Sequence, residues 1–204
     1  MERRFNVCSW MIVLLGFLWQ QAIAVERKSP AEVSPHVLFV NVGKVMNSKQ
    51  FEAAVSNACA QVQIKWRSEC VPKITMNEII ISKEEQSKKW GREAVLVVYL
   101  TDDQALPGLL NLPGQCSLIN IRTMHTDSPS VEVYESRMKK SLMKGLAYAA
   151  GVGSNCDPHC VMYWKSFSAS GIDGTSSTFG PYAFFALQDI LGALAGGAIF
   201  QTEQ

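Results

Sequence analysis

The chain has 204 residues, 48% of them hydrophobic and 18% charged, and its 19 basic and 18 acidic side chains leave a formal charge of +1. So balanced a composition lacks the electrostatic footprint with which proteins hold nucleic acid or an anionic membrane, and it is too apolar for a disordered chain. Length and apolar content suit one globular domain able to bury a core without metal or disulfides.

Met1-Glu2-Arg3-Arg4 is basic on balance and is followed by an apolar run from Cys8 to Trp19, then Gln20-Gln21-Ala22-Ile23-Ala24. This is the pattern of a signal peptide with cleavage expected after Ala24, an uncleaved anchor being the second choice. The expected organisation is a signal peptide at 1–24, a linker at 25–36 and a domain at 37–204, exported to the periplasm or outside the cell. Cleavage removes Glu2, Arg3 and Arg4 and leaves a formally neutral chain with no membrane partner expected.

Val37 to Val42 reads as a buried strand. Phe51, Ala54, Val55, Ala58, Cys59 and Val62 recur at helical spacing. Ile64 to Val71 and Ile74 to Ile81 read as strands. Ser82 and Glu85 stand at capping-box spacing before a short helix at Lys83 to Trp90. Ala94 to Leu100 is continuously apolar, as in a strand covered on both faces. Pro107-Gly108 and Pro113-Gly114 mark turns flanking an irregular edge at Leu109 and Leu110, and Ser117 to Arg122 is a further strand. A long helix follows, with Tyr134, Met138, Leu142, Leu146 and Ala149 as its buried stripe. A last helix is expected at Phe184 to Leu194, where Gly192 and Gly196 suggest close packing.

The long helix closes on Lys144-Gly145-Leu146-Ala147-Tyr148-Ala149-Ala150-Gly151-Val152-Gly153-Ser154. Set against H-E-x-x-H-x-x-G-x-x-H, the zinc-binding frame of metzincins, it keeps only Gly151. The three His positions fall on Lys144, Tyr148 and Ser154, and the general-base Glu position falls on Gly145. Further on, Asn155 stands at a first Cys position, while Cys160 and Met162 match a second Cys and a Met. A distal C-x-x-C with Pro after its first Cys falls on Gly180-Pro181-Tyr182-Ala183. In this register, kept without a gap at Gly151, Cys160, Met162 and Pro181, the chain resembles the archaemetzincins.

The resemblance implies a zincin-like α/β (α+β) domain, a mixed twisted sheet packed on helices with a long former active-site helix. It also implies a pseudopeptidase whose catalytic and metal residues have been replaced, so that no zinc or other cofactor is expected. The remaining partner would be an extended peptide or protein segment held by strand addition in the former substrate cleft. The alternative is an active hydrolase with a non-standard metal site or with Lys144, Tyr148 and Ser154 chemistry.

Other chemistries find less support. No G-x-S-x-G elbow accompanies His36, His125 or His159, and Gly151-Val152-Gly153 follows a helix where a phosphate loop would open one. Cys156, His159 and Cys160 are too closely spaced to ligate one tetrahedral ion together. Beyond residue 24 there are five cysteines: Cys156 and Cys160 are candidates for a short-loop disulfide, Cys59 and Cys116 for buried thiols.

Overall fold

The computed structural model describes residues 36–79, 94–112, 115–164 and 168–200, with side chains for 37–79, 96–112, 115–164 and 168–194. These residues belong to one compact unit that begins at Ser34. The expected signal peptide, linker, 83–90 helix and Pro113-Gly114 turn lie outside them.

Strand β1 (His36–Val42) is apolar on both faces, and it is hydrogen-bonded on both edges: to β2 (Lys65–Val71) on one side and to β3 (Ala94–Thr101) on the other, parallel to each. Beyond β3 lies parallel β5 (Cys116–Asn120), and antiparallel β4 (Leu109–Leu112) closes that side, giving the order β2-β1-β3-β5-β4. Alternation sends Val37, Phe39, Leu96, Val98, Leu100 and Ile119 to one face, where helices cover them. Leu38, Val40, Val97, Tyr99 and Leu118 pack on the other face, with Ile79 against them.

Helix α1 (Ser48–Cys59) starts where Asn47 accepts a hydrogen bond from Gln50 N at 2.9 Å, and it buries Phe51, Val55, Ala58 and Cys59 as the 3.6-residue period requires. Helix α2 (Val131–Ala149) crosses beneath β3 and β5, α3 (Ala169–Asp173) is a short turn against it, and α4 (Pro181–Phe200) begins with proline at its first position. Gly145 sets the closeness of α2 to the sheet: a Cβ there would lie 2.6 Å from Ile119 Cδ1 and 2.9 Å from Val98 Cγ1. Among the described residues no helix is long and apolar enough to cross a membrane.

The sequence reading needs correction at several places. Residues 76–79 are helical, where a strand was expected from Ile74. A capping box at Thr75 and Glu78 starts this segment: Thr75 N donates to Glu78 Oε2 at 2.5 Å and Glu78 N to Thr75 Oγ1 at 3.3 Å, which holds the backbone in a turn before it can extend. The strand expected through Arg122 stops at Asn120, whose Oδ1 accepts from Arg122 N and whose Nδ2 donates to the carbonyls of Asp103 and Leu106. These bonds turn Ile121–His125 into a 3-10 segment. The edge at Leu109 and Leu110 is a regular strand, because it has β5 to pair with. The last helix extends beyond both expected ends.

Candidate functional site

The long helix ends in a Schellman turn. Val152 N donates to Ala147 O at 2.8 Å and Gly151 N to Tyr148 O at 2.9 Å, with Gly151 at φ +85°, a conformation that suits glycine. This reversal brings Ser154 back beside the helix, where its hydroxyl is hydrogen-bonded to Tyr148 Oη. Asn155 then makes an isolated bridge to the turn around Tyr163: Asn155 N donates to Met162 O at 2.9 Å and Trp164 N to Asn155 O at 3.0 Å. The loop so formed presents the Tyr163 carbonyl to Lys144, whose Nζ donates to it at 3.3 Å. Lys144, Tyr148 and Ser154 therefore lie along one side of the helix end and its turn.

Lys144 is 2% exposed. Burial pushes its ammonium down to about 8, opposed by the Coulombic influence of Cys160. The space between α2 and β4 that Lys144 lines with Leu109, Ser141 and Ile172 is a cavity of about 20 Å³, room for about one water. Gly145 points the other way, into the sheet, and its carbonyl accepts from the buried Ser117 hydroxyl at 2.7 Å.

The second set of motif positions also converges. The Cys160 sulfur is buried and accepts from Gly180 N at 3.1 Å, Asn155 Nδ2 at 3.3 Å and Met162 N at 3.3 Å. A Cβ on Gly180 would lie 3.1 Å from Cys160 Cβ and 2.6 Å from Asp157 Oδ2, so the close approach depends on glycine. Ala183 and Met162 are fully buried, and Pro181 opens α4 at this junction. Cys156 and Cys160, the candidates for a short-loop disulfide, are both free thiols. Cys160 turns inward onto the three N–H donors, whereas Cys156 is exposed. Cys59 and Cys116 are buried as expected, and burial pushes the Cys59 thiol up to about 12. His159 is exposed in an Asx turn on Asp157.

Zinc does not fit these groups. A protonated lysine has no lone pair to offer, and the Tyr148 and Ser154 hydroxyls are hydrogen-bonded to each other. Among the described residues no three His, Cys, Asp or Glu side chains are grouped to hold a metal.

The sequence reading missed a buried ion cluster on the same helix. Arg137, 2% exposed, forms a bidentate pair with Asp127 at 2.6 and 2.7 Å and another with Asp173 at 2.8 and 2.5 Å, and donates to Met124 O at 2.9 Å. Its guanidinium holds both carboxyls below their usual range. One turn on, Lys140 Nζ donates to Ile172 O at 3.0 Å and Asp173 O at 3.3 Å. Arg137, Lys140 and Lys144 recur at three- and four-residue steps, the signal that could have marked them as one face.

No protein-family model and no curated protein sequence matches the chain. Two solved structures are similar to it. The zinc-dependent peptidase from Methanocorpusculum labreanum superposes with a TM-score of 0.61 at 9% identity, over 74% of this chain and 99% of its own. The archaemetzincin from Methanopyrus kandleri superposes with a TM-score of 0.61 at 19% identity, over 82% of this chain and 99% of its own. The fold is thus an archaemetzincin-like α/β fold with a mixed five-stranded sheet.

Proposed function

We propose that this archaemetzincin-fold chain is a pseudopeptidase, exported by way of residues 1–24, that holds an extended peptide or protein segment without hydrolysing it. One observation carries the proposal: a buried lysine ammonium fills the helix face on which the motif register sets the metal. A positive charge there at neutral pH opposes a dication, and without a metal a water stays a poor nucleophile. The small size of the space beside Lys144, about 20 Å³, supports the same reading, since it has no room for a scissile bond.

For the binding role the support is β4. It ends the sheet and pairs only with β5 among the described residues, so half of its backbone N–H and C=O groups have no ladder partner. Leu109-Leu110-Asn111-Leu112 carries no charge or proline to blunt that edge. An added strand would use these groups and leave the space beneath untouched.

The test is a zinc titration of the purified chain by calorimetry, paired with amide exchange at Leu109–Leu112 in a tryptic digest of casein. Absence of tight zinc binding, intact peptides and slowed exchange at β4 are the expected results. Stoichiometric zinc, or peptide cleavage that disappears in Lys144→Met, would establish a hydrolase instead. Export is checked by the intact mass of the secreted product, expected to begin at Val25.

A further inference from the structure

A second crevice lies at the other end of the helix layer, away from Lys144. It opens beyond the carboxyl ends of the parallel strands, between the first three turns of α1 and of α2, with Met46 from the segment after β1 and His125 and Pro129 from the segment after β5. The segments after β1 and β5 that border it leave the sheet at the carboxyl ends of two strands separated by β3. Its volume is about 390 Å³, within the range of small-molecule sites.

The walls define the chemistry. Met46, Ala53, Ala54 and Met138 line its apolar side, where the small alanine side chains leave room between the helices. His125 stacks on Tyr134 with ring centroids 4.4 Å apart, forming a flat wall. On the α2 side, Glu135 and Lys139 stand one turn apart, and neither has a hydrogen bond or ion pair among the described residues. Glu135 is exposed and Lys139 half-buried, and at about 5 to 6 Å between Cβ atoms they set a carboxylate and an ammonium side by side on one rim, as suits a ligand that carries both charges close together. A phosphate would meet Glu135 as a like charge, and a plain hydrocarbon would use neither group.

We propose that this crevice binds a free α-amino acid with a bulky apolar side chain, its amine at Glu135, its carboxylate at Lys139 and its side chain on the apolar side lined by Met46, Ala53 and Met138. The site is independent of the pseudopeptidase reading, which concerns the opposite end of α2.

The experiment is a titration of the isotope-labelled chain with L-phenylalanine and L-leucine, followed by amide chemical shifts. Saturable shifts confined to residues 46–57 and 125–139 are expected, with a Kd of about 1 mM or tighter. Ala53→Leu fills the apolar side from an exposed helix position, and Lys139→Met removes one rim charge; each should weaken binding by about tenfold. Phenylpropionate and phenethylamine, which each lack one of the two charges, should bind weaker by a similar factor. The proposal is overturned if neither amino acid gives saturable shifts. It is also overturned if both variants bind as the parent does, or if a one-charge analogue equals phenylalanine.

Discussion

Lys144 couples the C-terminal end of α2 to pH. The folded chain releases this proton near 8, while a solvated lysine holds it to about 10.5, so between those values the unfolded state binds more protons and stability rises with pH. Lys144→Met removes that rise: the stability of the parent relative to the variant should climb from pH 8 to pH 10.5 and stay flat below 8, as chemical denaturation at each pH would show. Tyr148 and Ser154 form a separate pair. Tyr148→Phe should cost about 0.5 to 1.5 kcal/mol, and a double-mutant cycle with Ser154→Ala should return most of that as coupling. The identities at 144, 148 and 154 were legible from the glycine at 151 and the spacing around it. The direction of Gly145 was not, because a helical glycine in sequence carries no sign of which wall it faces.

Among the elements, α2 bears the most constraint. Gly145→Ala should destabilise the chain by about 1 to 3 kcal/mol in denaturant unfolding, since the new methyl would press on Ile119 and Val98 in the sheet. The Arg137 cluster predicts an asymmetry. Arg137→Met leaves two carboxylates, both exposed, free to hydrate, whereas Asp127→Ala with Asp173→Ala uncovers the guanidinium and leaves it Met124 O as an acceptor; the double variant should lose more stability. The core strands were legible because continuous apolar runs such as Val37 to Val42 admit few other readings. The 76–79 turn was misread because its apolar residues suit either structure, and the choice was made by Thr75 and Glu78, two polar side chains bonding to backbone. Buried cations were missed because Arg and Lys at helical spacing ordinarily mark a solvated face, and only tertiary partners at Asp127, Ile172 and Asp173 say otherwise.

At the scale of the molecule, the sheet order could not be read from the strands themselves, since parallel neighbours are chosen by the helices that cross over them. Once it is known, the two ends of α2 separate in role. The C-terminal end is tied into Ser154, Tyr163 and the Cys160 hub, and the N-terminal end leaves the crevice between the helices open. The five thiols of the described residues follow this layout: Cys59 in α1, Cys116 in β5 and Cys160 beside α4 are buried, while Cys70 and Cys156 are exposed. Pulsed alkylation should therefore label two cysteines at once in the native protein and the other three only as their own regions open. If α1, β5 and the α4 junction are modified at a single rate, the domain opens as one cooperative unit; if Cys160 reacts first, its hydrogen-bonded hub at the start of α4 is the part that lets go earliest.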